Sequence, residues 1–294
     1  MTHQNHLIYV AFGGSDYRNE VVWSLLSLYL QHPEPDFNIH IFTDVVSEMK
    51  AQLPHSVVFH ELTPDQIHWW KGPQNYPYRV KIKVLQQMLE THTGNFLYLD
   101  TDVIVRQSLS PLFASIAQGS VFMDANEGPL HANKGGIARK MKKLLRNQQQ
   151  FRLPNGEIVH LDTQFEVWNS GCIGLTNRQL PQLQKAEALM DVLYAAYPLF
   201  SMEQIAVTEA LQSSGLHETK SYLHHYWYFK EFRPVIRDFL KHYPTWEARL
   251  QHLHSWDPWE LSVGKRQYKL KGFWGRTYQK IRYGYRWKNP VFLP

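Results

Sequence analysis

Two carboxylates one residue apart, Asp100 and Asp102, follow directly on the run Phe96-Leu97-Tyr98-Leu99. Side chains alternate along an extended chain, so residues two apart face the same way and these carboxylates form one pair of hard oxygen ligands. Such a pair at the carboxyl end of a central strand suits Mg²⁺ or Mn²⁺, ions that keep open positions for substrate phosphates. An ion held there offsets the negative charge that gathers on a departing diphosphate. A solvated turn after a strand presents the same letters, so the pair gains meaning only from what surrounds it.

The run before the pair is too short for a helix and is bounded by Thr93-Gly94-Asn95, which predicts a buried strand. Earlier in the chain, Leu7 to Phe12 reads as a first strand and Gly13-Gly14-Ser15-Asp16 as a tight turn. From Tyr17 to Leu30, Val21, Val22, Leu25, Leu26, Leu28 and Tyr29 recur at helical spacing. This β-turn-α unit is the usual opening of a nucleotide-binding sheet, although its glycines do not form a G-x-G-x-x-G fingerprint. Tyr17, at the turn, either stacks on a base or packs under the first helix. Asn38 to Phe42 and Val57 to Phe59 read as two further strands, consistent with alternating β and α elements. Tyr78 to Leu89 predicts a helix with one buried face, carrying Arg79, Lys81 and Lys83 as cations within reach of a diphosphate or as an exposed basic face.

Beyond the pair, Ser108 to Phe113 predicts a helix start with Pro111 in its first turn, and Ser120 to Met123 a short strand ending at Asp124. Residues 127–165 break the rhythm: Gly128-Pro129, Asn133-Lys134-Gly135-Gly136, the basic run Arg139 to Arg146 and Gln148-Gln149-Gln150 predict an insertion with one helix and mobile flanks. Within Val167 to Leu175 the small residues Asn169-Ser170-Gly171 predict a turn leading into a strand. Helices are expected over Leu180 to Tyr197 and Glu203 to Leu211, and a late strand over Ser221 to Trp227 with Lys230 just beyond. His224 and His225 on that strand face opposite ways, so at most one shares a site with the carboxylates.

A chain of 294 residues, 44% hydrophobic and 14% aromatic, can bury a sizeable core as one large α/β domain or two small ones. Cys172 is the only cysteine, which excludes an intrachain disulfide and a Cys-rich zinc site. The polar start, Met1 to His6, has no basic and apolar leader pattern, and no stretch approaches the ~20 apolar residues of a membrane span, so a cytoplasmic protein is expected. The net charge of +5 invites a phosphate-bearing partner or an anionic surface. From Gly264 to Pro294 nine basic residues stand with no acidic one. Leu270, Phe273, Trp274, Tyr278, Ile281 and Tyr285 fall among them near helical spacing, the make-up of an interfacial amphipathic segment. The expected division is therefore a catalytic domain over 1–264 and a basic aromatic tail over 265–294. The tail either meets the inner face of an anionic membrane or packs its aromatics onto the domain.

Taken together, the motifs resemble the nucleotide-sugar transferases of the GT-A fold, most nearly glycosyltransferase family 8, the glycogenin and lipopolysaccharide galactosyltransferase group. Tyr17 with Ser27-Leu28 matches the family's opening, and Tyr98 to Asp102 with Leu112-Phe113 its Asp-x-Asp strand and the helix start that follows. Asn169-Ser170-Gly171 matches its Asn-Ser/Ala-Gly turn, and Glu203-Gln204 stands where the family has Asp-Gln. His225-Tyr226 with Lys230 and Phe232 matches its late strand by the tyrosine neighbour, whereas His224 matches by its spacing to Lys230. The resemblance covers residues 7–232. It implies a Rossmann-like α/β domain with a mixed central sheet, and metal-dependent, retaining transfer from a UDP-sugar to a glycan or lipopolysaccharide-type acceptor.

The same resemblance implies that Asp100, Asp102 and His225, with His224 as alternate, hold Mn²⁺ or Mg²⁺ on the donor diphosphate. Ala11, Tyr17, Thr101, Asn169 and Ser170 would contact the donor, Arg79 or Lys81 together with Lys230 would neutralise phosphate, and Asp124, Glu203 and Gln204 would meet donor sugar and acceptor. Two other classes share parts of the pattern. A haloacid-dehalogenase phosphatase also carries Asp-x-Asp, but wants Thr or Val where Ile104 stands and places the motif on its first strand. A basic nucleic-acid binder would use the tail, but the body of the chain is not basic, and no nucleic-acid partner is expected.

Overall fold

The computed structural model describes residues 4–253, 258–284 and 288–292. β1 (Gln4–Ala11) leads through a glycine turn into α1 (Ser15–Gln31), then β2 (Asn38–Thr43), α2 (Val46–Lys50), β3 (Val57–Glu61), α3 (Pro64–Lys71) and α4 (Arg79–Thr91). β4 (Gly94–Leu99) and β5 (Val103–Val105) flank the carboxylate pair, and α5 (Ser110–Ala117) and β6 (Val121–Pro129) follow. Next come α6 (Gly136–Asn147), the hairpin β7 (Gln150–Arg152) and β8 (Ile158–His160), β9 (Glu166–Thr176), α7 (Leu180–Ala196), α8 (Met202–Leu211), β10 (Leu216–Glu218) and β11 (Leu223–His225). The described chain ends in α9 (Arg233–His242), α10 (Trp246–His252), α11 (Pro258–Leu270), α12 (Gly272–Tyr283) and a short segment, 288–292, without regular secondary structure.

Seven strands form one mixed sheet in the order β10-β6-β9-β4-β1-β2-β3, with β9 running against both its neighbours and the other pairings parallel. This is the mixed α/β sheet expected of the GT-A fold. Alternation along the strands feeds two cores. Leu7, Tyr9 and Ala11 pack with α1, whereas Ile8 packs with Val80, Val84 and Met88 of α4. β4 contributes Phe96 and Tyr98 to one core and Leu97 and Leu99 to the other, which is why a strand buried on both faces reads as an unbroken apolar run.

Three expectations are corrected. The flanks of the one helix expected within residues 127–165 are built into the domain: β6 extends to Pro129, and Ala138, Met141 and Leu145 of α6 join Phe151 and Val159 of the hairpin in the α4-side core. Asn169-Ser170-Gly171 is not a turn but the middle of β9; small polar residues imitate turn chemistry there because β6 pairs irregularly alongside, its register shifting between Met123 and Ala125. The late strand is only Leu223–His225, a length set by its short antiparallel partner β5.

At the tail, α11 runs through residue 264 and docks by Lys265, which pairs with Glu231 and donates to the Tyr228 carbonyl at 3.2 Å. Phe292 returns to the domain and packs on Phe239 and Tyr243. Between them α12 buries none of its side chains, and Phe273, Trp274 and Ile281 are exposed. Tyr285, Arg286 and Trp287, also part of the expected segment, lie outside the described residues. No described helix is long and apolar enough to cross a membrane.

Candidate functional site

Asp100, Thr101 and Asp102 occupy the link between β4 and β5, and main-chain bonds from two other elements fix it. The Asp100 amide donates to the Gly171 carbonyl of β9 at 2.7 Å, and the Tyr226 amide donates to the Asp102 carbonyl at 3.0 Å. The second bond continues the β11–β5 ladder, in which His225 lies opposite Val103, and so brings His225 beside Asp102. His225 Nε2 is 3.2 Å from Asp102 Oδ1 and 3.9 Å from Asp100 Oδ2, and Nδ1 is 2.9 Å from Asp124 Oδ2. One ligand atom from each of Asp100, Asp102 and His225 lies within 4.8 Å of the others. His224, on the opposite strand face, instead meets the Tyr228 hydroxyl at 3.0 Å.

The His225 ring lies against Gly171, where a β-carbon would fall inside the imidazole, so this position on β9 requires glycine. Burial alone would lower the His225 pKa, but Asp102 and Asp124 outweigh it and raise it to about 10. Burial likewise works to raise that of Asp102, and His225 and Lys230, whose ammonium pairs with Asp102 Oδ2, hold it well below the usual carboxylate range.

A second cluster adjoins the first through Asp100. Lys81 Nζ, nearly inaccessible to solvent, lies 3.3 Å from Asp100 Oδ1, 3.3 Å from Glu203 Oε1 and 3.0 Å from the Ser170 carbonyl. Desolvation works to lower the Lys81 pKa, but the two carboxylates more than reverse it and keep the ammonium charged. The Ser170 hydroxyl donates to Glu203 at 2.9 Å, the Tyr98 hydroxyl donates to Asp100 at 2.7 Å, and the Glu203 amide donates to the Tyr76 hydroxyl at 3.1 Å. Asn169 donates to Glu127 at 3.0 Å, and Gln204 to the same carboxylate at 3.3 Å.

Along the other edge, Ala11 is buried at the end of β1, and Tyr17 is 42% exposed with the Arg233 guanidinium 5.0 Å from its ring centre. Arg233 is anchored at 2.9 Å to Glu20, which also accepts from the Thr101 hydroxyl at 3.0 Å. Arg79 is not brought to this place. Its guanidinium is held by Glu187 and Asp191 of α7 and by the Trp70 carbonyl, because its position on α4 faces α7 rather than the carboxylate pair.

Glu20, Glu127 and Arg233 were not singled out from the sequence. A lone carboxylate bordering the apolar run of α1 was the one available signal for Glu20. Glu127 sits on what reads as an insertion, and Arg233 follows a matched motif by one residue.

The site residues fit a divalent ion. Two carboxylates and an imidazole combine hard oxygen with nitrogen, a set that Mn²⁺ accepts. The present neighbours of Asp102, an ammonium and a protonated imidazole, are the cationic charge that an ion would replace.

No family model matches the chain, and no curated protein matches it. It is similar to the solved structure of the galactosyltransferase LgtC in complex with donor and acceptor sugar analogs, at 15% identity, TM-score 0.45 and 69% coverage of each chain. It is similar to xyloside xylosyltransferase 1 of mouse, apo form, at 14% identity and TM-score 0.49, over 73% of this chain and 84% of that one. It is also similar to the glycosyltransferase GlyE of Streptococcus pneumoniae TIGR4 at 12% identity and TM-score 0.45, over 82% of this chain and 50% of that one.

Proposed function

We propose that the chain is a GT-A-type glycosyltransferase that moves a sugar, with retention of configuration, from a nucleotide-sugar donor, UDP-linked, to a glycan or lipopolysaccharide-type acceptor. The observation that carries this reading is the meeting of Asp100, Asp102 and His225, from the β4–β5 link and β11, with ligand atoms within 4.8 Å of one another. Mn²⁺ or Mg²⁺ bound there supplies neutralisation of the donor diphosphate.

This chain's own residues do the remainder. Lys230 and Lys81 add positive charge where the diphosphate departs, a form of electrostatic stabilisation that needs no reorganisation. Tyr17 stacks on the base with Arg233 beside it, and Ala11 and Thr101 line the nucleotide side. Asn169 and Ser170 on β9 orient the donor sugar, and Asp124, Glu203 and Gln204 bound the space where sugar and acceptor meet. Arg79 has no part, since it fastens α4 to α7.

The test is hydrolysis of a panel of sugar nucleotides with and without Mn²⁺. Metal-dependent release of UDP from at least one donor is expected; none from any donor, with folded protein, would refute the reading.

The apolar residues of α12, exposed among Lys269, Lys271, Lys280 and Arg282, support attachment to an anionic membrane surface on the cytoplasmic side. Each cation near such a leaflet adds about 1 kcal/mol. Replacing Phe273, Trp274 and Ile281 together by serine should remove binding to phosphatidylserine vesicles and leave sugar-nucleotide hydrolysis in place. Unchanged vesicle binding would rule this surface out.

A further inference from the structure

α6 keeps its apolar side in the core and turns a cationic side to solvent. Ala138, Met141, Leu144 and Leu145 are buried, and no apolar side chain of the helix is exposed. Arg139, Lys143 and Arg146 recur at i, i+4 and i+7, a single stripe about 10 Å long, with Lys140 beside it. All four are exposed, and among the described residues none of them forms an ion pair or donates a side-chain hydrogen bond. The nearest carboxylates in sequence are held elsewhere, Glu127 by Asn169 and Gln204 and Glu157 by Lys185.

The stripe ends at a groove of about 560 Å³ lined by Arg146, Asn147, Gln148, Gln149, Gln150 and His160. Side-chain amides offer donors and acceptors together, and among the described residues only that of Gln148 has a partner, the Gln150 carbonyl at 3.2 Å. Cations in a row take carboxylates or phosphates, and clustered amides take hydroxyls, so stripe and groove together match a saccharide chain that carries anions. A membrane fits less well, because α6 has no exposed apolar side chain to insert. Single-stranded nucleic acid needs rings to stack on, and the one Phe, Tyr or Trp between residues 128 and 160, Phe151, is buried.

β6 carries Asp124 and Glu127 at the candidate site and ends at Pro129, so α6 starts within about 25 Å of chain reach from it. Resting on the glycosyltransferase reading, we propose that the stripe of α6 and the groove at its end hold an anionic saccharide chain, the part of an extended acceptor that lies away from its reacting end. Arg139, Lys143 and Arg146 meet successive anionic groups, and Asn147 and Gln149 meet the hydroxyls between them.

The experiment titrates the full chain by calorimetry with an alginate octasaccharide, neutral maltooctaose, a glutamate peptide of the same carboxylate number, and phosphatidylserine vesicles. Alginate should bind tighter than maltooctaose by about tenfold or more, and tighter than the peptide by about threefold or more. Arg139→Glu with Lys143→Glu and Arg146→Glu should weaken alginate binding about tenfold, whereas the same reversal at Lys271, Lys280 and Arg282 of α12 should cost less than about threefold. Asn147→Ala with Gln149→Ala, which removes no charge, should bring alginate down to the level of the peptide. Metal-dependent hydrolysis of the sugar nucleotide should stay within about twofold in the α6 and groove variants, since none of these residues belongs to the carboxylate site.

Equal or absent binding of the two octasaccharides overturns the proposal, as does alginate binding that survives the α6 reversal. A peptide that binds the unsubstituted chain as tightly as alginate would make the stripe a reader of charge alone and remove the saccharide from it. Vesicle binding that outlasts the α12 reversal and is lost with the α6 charges would give the face to a membrane instead. The groove variant decides the matter even where the triple reversal fails to fold. Absence of sugar-nucleotide hydrolysis in the unsubstituted chain, with alginate bound as expected, counts against the transferase reading and leaves the surface standing, so the two failures are distinguishable.

Discussion

His225 and His40 are both imidazoles bonded at each ring nitrogen at 2.9 to 3.2 Å, yet at neutral pH one is charged and the other is not. His40 bridges His6 and His60 across three adjacent strands, and the His92 ring packs against both His6 and His40. Burial strips the proton from His40 first, and its histidine neighbours add to the effect, lowering its pKa to about 3; His6 is lowered to about 4 for the same reasons. The His225 side chain is also largely withdrawn from water, but Asp102 and Asp124 reverse the outcome. The difference teaches that burial alone does not decide charge here: the partner does. A histidine among histidines becomes part of the core, and a histidine among carboxylates keeps a charge that a metal ion can take over.

The largest break in that comparison should come from Asp102→Asn. Removing the main partner should bring the His225 pKa from about 10 down toward the ordinary 6.5, leave that of His40 unmoved, and cost at least a hundredfold in Mn²⁺-dependent turnover. Histidine NMR titration follows the first two and a hydrolysis assay the third. An unmoved His225 would mean that Asp124 alone sets its charge.

Next in size is Lys81→Met, which leaves the buried Glu203 and the half-buried Asp100 without their shared cation. A loss of about 3–5 kcal/mol in urea unfolding is expected, the cost of stranding a buried charge. A near-neutral result would show that Glu203, whose pKa burial pushes up, is already protonated.

Smallest is the acid response of the histidine set. His6 is neutral in the fold but takes up a proton near pH 6.5 once unfolded, so the unfolded state binds more protons below that pH. Stability should therefore fall as pH drops from about 6.5 toward about 4, by about 3 kcal/mol from His6 alone. His225 acts with the opposite sign, its contribution being complete below 6.5 and lost as pH rises through about 10. His6→Phe, placed against Phe96 on which the imidazole already stacks, should flatten the acid limb. An acid limb as steep as before would assign it to other groups.

Where local periodicity carries the information, the sequence was legible. The strand and helix on either side of the first glycine turn, the helix over residues 79–91 and the Asp100–Asp102 pair all follow from short apolar runs, alternation or helical spacing within a dozen residues. Alternation on the late strand told only that His224 and His225 face opposite ways; the preference for His225 came from the resemblance, through its tyrosine neighbour, and the β11–β5 register is what sets His225 beside Asp102. What escaped depends on contacts between distant segments. Gly171 reads as a turn residue because nothing nearby in sequence announces the imidazole of residue 225 that needs its space. Arg79 and Lys81 look alike on a basic helix, and only the position of α7 decides that one faces Glu187 and the other Asp100. Glu127 was hidden because β6 continues past the point where its apolar alternation stops.

The central claim is that Asp100, Asp102 and His225 together hold a divalent ion. Electron paramagnetic resonance of Mn²⁺ titrated into the protein, with the proton balance recorded alongside, tests it most directly. One Mn²⁺ per chain should bind, with release of the His225 proton because a metal-bound imidazole cannot keep it, and with tighter binding when UDP is present. Asp102→Asn and His225→Ala should each abolish the bound signal. Mn²⁺ that binds equally well to both variants, or that binds to neither variant nor to the unsubstituted chain with UDP present, would contradict the account.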